Sequence, residues 1–477
     1  MLIKSTQILV VLAVFLLLSV HATNGQSSAT GPSVTVTIPA AVSQNGFTGS
    51  VPQAKLSPEP LQISFLDAID RGLKQNLGLL LSDNATLSAR GERWKELSNL
   101  LPNIEAKGQE TVQKTSLAAL GLRIPGFPRV VGPFNYFDAR SFLNQSLFNW
   151  NYLQKERAAA QNLKAAQYTY KNARELVVLV TGNAYLQAIA GAARVETAEA
   201  QQKTAQTLYD RARDQQTAGV IPAIDALRAQ VQLQTRQQQL IVARNDYAKQ
   251  KLTLSRIIGL ALGQEFILTD KAPYDQLIPP PLEEALRRAY SSRADYQAAL
   301  AQARAAELSR RAASAERYPS LDVEGDIGAI GVNPANSNGT FHVVGTVTVP
   351  IFQGEKIHAD VLEAEAQLRD AKARLEDLRG QIDNEVRTAL LDLNAAAEQV
   401  QVARSSVELA EQTLAQAQDR FSAGVADNLE VVQAQESVAT AHESYISSLY
   451  AHNLAKVELA RALGNAEQGV KQYLKGK

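Results

Sequence analysis

The sequence predicts a mainly α protein with a small β part, assembled from one unit used twice. Three observations carry that prediction: a recurring sequence, two very long proline-free stretches, and a few segments in which apolar and polar residues alternate. Ser422-Ala423-Gly424-Val425 repeats Thr217-Ala218-Gly219-Val220 at an offset of 205 residues. The same offset pairs Ala229-Gln230 with Ala434-Gln435, Arg256 with Arg461 and Gly259 with Gly464. Upstream, an offset of 217 pairs Ala68 with Ala285 and Pro102 with Pro319. Duplication in a helical chain points to pseudo-symmetric architecture rather than to one grafted active site.

The elements follow in order. Lys4 supplies a positive start, residues 8–20 are apolar, and Val20-His21-Ala22 offers small residues for a signal peptidase, so 1–22 reads as an export signal. The apolar run falls short of the about 20 residues that an anchor helix needs. Residues 23–60 are rich in Ser, Thr, Gly and Pro and read as an extended or mobile tail. A first repeat is expected over 61–270: a helix of about 40 residues, a strand hairpin at about 103–148, a long helix at about 151–217 and a helix at 222–260. A second is expected over 281–465, with a hairpin at about 320–349, a long helix at about 355–422 and a helix at 427–464, before a C-terminal tail at 466–477.

The long helices dominate this reading. Residues 151–216 hold no proline, with Gly182 and Gly191 as a paired interruption; 355–422 hold none either, with Gly380 midway. At about 1.5 Å per residue each spans roughly 100 Å. Globular helices average about a dozen residues, so long helical neighbours must bury these. Leu375, Leu378, Ile382, Val386, Leu390 and Leu393 step by 3, 4, 4, 4 and 3, near an 11-residue repeat, while Val400, Val407, Leu414 and Phe421 keep sevens. That predicts a change of supercoil along one helix. Gly219 and Gly424 stand where a left-handed residue stops a helix. Pro222 suits the first turn of the next helix, and Asp427 with Glu430 gives a capping-box-like start.

Between the helices the period changes to two. In 321–327 every second residue is acidic; in 341–349 Phe341, Val343, Val347 and Val349 alternate with His342, Thr346 and Thr348. Residues 139–148 behave similarly, and 103–111 more weakly. A half-buried soluble sheet would show the same alternation. In an exported chain a membrane barrel fits too. Four strands cannot close, and open edges are not tolerated in lipid, so a barrel requires several copies.

Composition removes other classes. The chain has 48 basic and 48 acidic residues, no basic stripe and no cysteine, which disfavours nucleic acid and excludes disulfides, thiolate chemistry and a lipid-bearing cysteine. The histidines at 342, 358, 442 and 452 have no matching ligand cluster, and His442-Glu443 does not continue into HExxH. No phosphate loop or catalytic constellation is present in the sequence, so neither an enzyme nor a cofactor or metal site is expected.

The strand-to-helix junctions Leu147-Phe148-Asn149-Trp150 and Pro350-Ile351-Phe352-Gln353-Gly354, the segment from Arg420-Phe421 through Val425 on to Leu429-Glu430 and Gln435, and the closing Leu459-Ala460-Arg461-Ala462-Leu463-Gly464 resemble the TolC-like outer-membrane efflux family. The resemblance covers about 61–464. It implies a homotrimer in outer-membrane lipid, with a twelve-stranded β-barrel continued by a twelve-helix α-barrel through the periplasm. It also implies a mid-height belt made from the tail, the 260–282 linker and the C-terminus. The partners implied are a periplasmic adaptor (membrane fusion) protein and an inner-membrane pump, in an efflux or type I secretion system. Carried over by position, Asp225, Glu430 and Gln433 fall in the family's periplasmic gate. Gly219, Val220, Arg420, Phe421, Gly424 and Val425 form the adaptor-contacting tips. Gln433 replaces a carboxylate, Phe421 a tyrosine and Ala426 an arginine of the family's latch. Asp225 and Glu430 also fit plain helix-start chemistry. A periplasmic adaptor would show one hairpin flanked by β-domains, and a coiled-coil scaffold would lack the strands. Drugs, small toxic molecules and secreted polypeptides all suit such a channel, while few Met and His and no Cys disfavour a soft-metal one.

Overall fold

A computed structural model describes residues 44–52, 58–121, 125–270, 275, 277–423, 425 and 428–473. The expected signal at 1–22, and positions Gly424, Ala426 and Asp427 of the second tip, lie outside the described residues. The elements are β1 (Leu61–Ile63), α1 (Phe65–Gln75), α2 (Leu77–Ser98), β2 (Asn103–Ser116), β3 (Val130–Phe148), α3 (Trp150–Thr217), α4 (Ala223–Ile258), β4 (Phe266–Leu268), α5 (Leu282–Ser292), α6 (Ala294–Ala315), β5 (Ser320–Gly331), β6 (Ser337–Thr348), α7 (Lys356–Ser422), α8 (Asn428–Ala462) and α9 (Ala466–Tyr473).

The helix of about 40 residues expected at each start is two helices. Each pair is divided by one extended residue: Asn76 at φ −66°, ψ 128° and Arg293 at φ −61°, ψ 123°. The offset of 217 makes them equivalent. Asn76 holds its break with its own amide, accepting from the Gly78 and Leu79 N–H groups and donating to the Phe47 carbonyl at 2.5 Å. Arg293 instead extends a guanidinium to Asp295 and Glu385, both at 2.6 Å. Left-handed glycines cover the two breaks. Gly259 (φ 70°) lies against Gln75, and Gly464 (φ 74°) leaves only 2.6 Å between a would-be Cβ and the Arg293 backbone nitrogen.

Part of the tail expected at 23–60 is docked. Phe47, the one aromatic in that stretch, is fully buried against Leu79, Ala173, Leu176 and Val177. Its apolar burial outweighs the polar composition around it. The 260–282 linker contributes β4, which pairs in parallel with β1 through Leu61 opposite Phe266. Beneath that pair, Phe65, Tyr185, Ile189, Leu254, Ile258 and Val457 form the largest core. The middle of α3 has a mean hydropathy of 1.5, high enough for a membrane span, yet it is mostly buried inside this core. Helices apolar all round are core helices when neighbours surround them.

Both long helices run unbroken through their glycines. At Gly191 a Cβ would stand 1.9 Å from the Gln250 side chain, so the glycine admits α4 rather than bending α3. Every residue of the apolar line expected along α7, from Leu375 to Phe421, is buried or part-buried. Between residues 382 and 403 the fully buried line of α7 is Ile382, Val386, Ala389, Leu393, Ala396, Val400 and Ala403, alternating steps of four and three. Ala389 is buried beside Leu390, which packs part-buried against the same core. Pro222 is the residue before α4 rather than its first turn.

The four long strands form one antiparallel sheet in the order β2-β3-β5-β6, leaving β2 and β6 as open edges. Beneath it the helices lie in the matching order α2-α3-α6-α7. Beyond the breaks α4 packs on α3, and α8 packs between α3 and α7.

Candidate functional site

Two regions remain for function: the free ends of the α3–α4 and α7–α8 hairpins, and one face of the sheet. The first hairpin turn is a Schellman motif. The Val220 N–H donates to the Gln215 carbonyl at 2.8 Å and the Gly219 N–H to Gln216 at 2.9 Å, with Gly219 at φ 72°. In the second, the Val425 N–H donates to the Arg420 carbonyl at 3.0 Å, the same bond 205 residues later. Val220 and Val425 are each 69% exposed, so both turns present a valine to solvent.

The structure puts an arginine on each sequence-predicted carboxylate. Asp225 pairs with Arg228 one turn along α4 at 3.2 Å, and Glu430 pairs with Arg420 across the α7–α8 turn at 3.1 Å. Spacing i, i+3 could have revealed the first pair; the second requires the turn geometry. Gln433 is exposed on α8, while Phe421 is half-buried against the cluster of Ala417, Val431 and Ala434 and backs the turn from inside. Asp225 and Glu430 thus sit at the tips of different hairpins, each beside its own cation. One position went unnoticed in the sequence. Arg236, only 3% exposed, crosses from α4 to Glu436 on α8 at 3.0 Å, and Gln232 reaches the same carboxylate at 2.9 Å. Above this tie a cavity of about 370 Å³ opens among four helices, where His442 Nε2 lies 3.2 Å from Glu411.

The sheet separates its side chains by face. Leu321 opposite Val347, Ile327 opposite Phe341 and Ile104 opposite Leu143 share one face. The register places Lys107 opposite Arg140 and Asp326 opposite His342 on the other. Arg140 is bound there by Asp138 at 2.5 Å and Asp326 at 3.2 Å, and it lies, like Lys107, over the Phe142 ring. Gly328 stands opposite Arg140, and a Cβ there would meet the Arg140 Cα at 2.5 Å. Glu110, hydrogen-bonded to Asn135 towards the far turn, is the one carboxylate of these strands on the apolar face.

Comparison with known proteins matches this architecture. The family model for outer membrane efflux proteins matches residues 88–260 and 285–465. The chain is similar to outer membrane protein TolC of Escherichia coli, 24% identical over 349 residues, or 68% of this chain and 69% of that one. It is similar to the pyoverdine export outer membrane protein OpmQ of Pseudomonas aeruginosa, 24% identical over 67% of each chain. Its fold is that of the Campylobacter jejuni CmeC outer membrane channel, with a TM-score of 0.74 and 18% identity, covering 90% of this chain and 94% of that one.

Proposed function

The chain belongs to the outer membrane efflux protein family, and from that premise we propose that three copies close into one channel, each supplying four strands and four helical positions. The protein acts in the outer membrane as an efflux channel. The repeats at 61–270 and 281–465 are read as two quasi-equivalent halves of each third of the ring.

One observation carries the closure. Large apolar side chains exposed on helices gather on the edge helices: Leu80, Leu87 and Trp94 on α2, Ile224, Leu227 and Val231 on α4, Leu391, Val402 and Leu409 on α7. Of the inner helices α3, α6 and α8, only α3 (Trp150) and α8 (Leu429) expose a large apolar residue among the described ones. Leu80, Leu87 and Trp94 keep a strict step of seven, the period of a helix waiting for a long partner. The open β2 and β6 edges lie in the same order, and lipid tolerates neither. Eight strands would give an interior filled by side chains, whereas twelve leave an aqueous lumen.

In this reading the hairpin tips point into the periplasm and dock an adaptor (membrane fusion) protein joined to an inner-membrane pump. Gly219, Val220, Arg420, Gly424 and Val425 form the contact, and Phe421 backs it. Asp225, Glu430 and Gln433 line the closed end. Because Arg420 and Arg228 neutralise the two carboxylates locally, closure relies on apolar packing and on these pairs rather than on a bare ring of charge. The channel has no chemistry of its own; energy comes from the pump. The strands argue against an adaptor or scaffold.

The test is Gly219→Val, read in two ways. Forcing a β-branched residue to φ 72° costs about 1 kcal/mol or more. We expect the variant to give a trimer of wild-type mass in mild detergent from outer membranes, with efflux of a toxic dye reduced at least severalfold. Normal efflux would remove the turn from the docking surface. A stable wild-type monomer would remove the closure.

A further inference from the structure

We propose that Asp322 and Glu324, at the inner mouth of the β-barrel, set a preference of the open channel for cationic over anionic solutes. The inference rests on the closure proposed above. In an outer-membrane protein the face carrying Ile104, Val112, Ile327, Phe341, Val343 and Val347, each more than 60% exposed, must meet lipid. The opposite face therefore lines the lumen.

That lumenal face carries five carboxylates, Glu105, Asp138, Asp322, Glu324 and Asp326, against two cations, Lys107 and Arg140. The partners are unequally shared. Lys107 lies 2.6 Å from Glu105, and Arg140 spans Asp138 and Asp326. Among the described residues Asp322 has the Ser320 hydroxyl alone, at 3.1 Å. Across the strands Asp322 faces Thr346 and Ser146, and Glu324 faces Val344 and Asn144, so neither has a cation opposite it on either side. The β2–β3 hairpin is balanced while β5–β6 is acidic. Three copies would set three negative stripes between three neutral ones. Because β5 starts directly after α6, both residues lie where the helical conduit enters the barrel. Fixed charges on a low-dielectric wall raise the local concentration of counter-ions and lower that of like-charged solutes.

The experiment is the reversal potential of purified channels in planar bilayers under a potassium chloride gradient. For Asp322→Asn with Glu324→Gln we expect the potassium-to-chloride permeability ratio to fall about twofold or more. Asp322→Lys with Glu324→Lys should carry it further towards chloride. Glu110→Gln removes the same charge from the lipid face and should leave the ratio unchanged. Trimers that conduct normally with an unaltered ratio in both double variants would overturn the inference while leaving closure intact. So would Glu430→Gln abolishing the preference by itself. If wild-type protein yields neither trimer nor conductance, closure fails and the inference falls with it.

Discussion

Glu175 shows what one side chain can reveal about the helix breaks. It lies on α3, close to the break residue Arg293, Asp295 of α6, Arg461 of α8 and Glu467 of α9. The cations around it are already engaged: Arg293 by Asp295 and Glu385, Arg461 by Glu385 at 3.6 Å, and Arg174 by Glu467 at 2.9 Å. Glu175 is the surplus acid. Burial, with Asp295 and Glu467 adding to it against the arginines, pushes its carboxyl up to about 7 from an ordinary 4.5. The folded protein therefore binds this proton more tightly than the unfolded chain does. Its stability contribution is complete below about 4.5 and is lost as pH rises through about 7. Glu175→Gln should flatten the pH dependence of the melting temperature across that window and gain about 1–3 kcal/mol at pH 8. An unchanged pH profile would mean that water reaches the carboxylate. The left-handed glycine at 219 was readable in the sequence as a helix stop, whereas Gly259 and Gly464 showed there only as a repeat pair. Arg293 was not, since a buried arginine as a helix-break residue contradicts its usual surface preference.

Among the elements, α2 gives the clearest prediction. Its Leu80-Leu87-Trp94 line faces solvent in a single chain, and Trp94 is 69% exposed. Leu87→Glu should leave the chain's own packing nearly untouched, within about 0.5 kcal/mol. The assembled form in mild detergent should nevertheless disappear. A trimer surviving this change would place the subunit contact on another helix. Strand and long-helix positions were legible because periods of two and seven last long enough to register. Two features were not. The share of alanine in the α7 seam was one, because apolar spacing was read from large residues alone, whereas Ala389, Ala396 and Ala403 are buried along it as well. The single-residue breaks at Asn76 and Arg293 lack glycine or proline, so no local breaker announces them. The tip carboxylates could be located from sequence, but their arginine partners needed three dimensions. Arg420 and Glu430 stand ten residues apart and meet only because the α7–α8 turn folds them together.

In the whole molecule, a 51.6 kDa chain leaves two open strand edges and apolar stripes on its outer helices. These features are incompatible with a solitary chain in lipid. Ring closure by identical copies satisfies the edges and stripes together, because the edge strands and edge helices lie in the same order. The most direct measurement uses the absence of native cysteine. Single cysteines placed along β2 from Ile104 to Thr111 would be combined one at a time with Val343→Cys on β6, and oxidised in intact outer membranes. At least one pairing should lock covalently between chains, and the products should stop at three. Cross-links absent from every pairing, or a ladder continuing beyond three, would contradict a closed trimer.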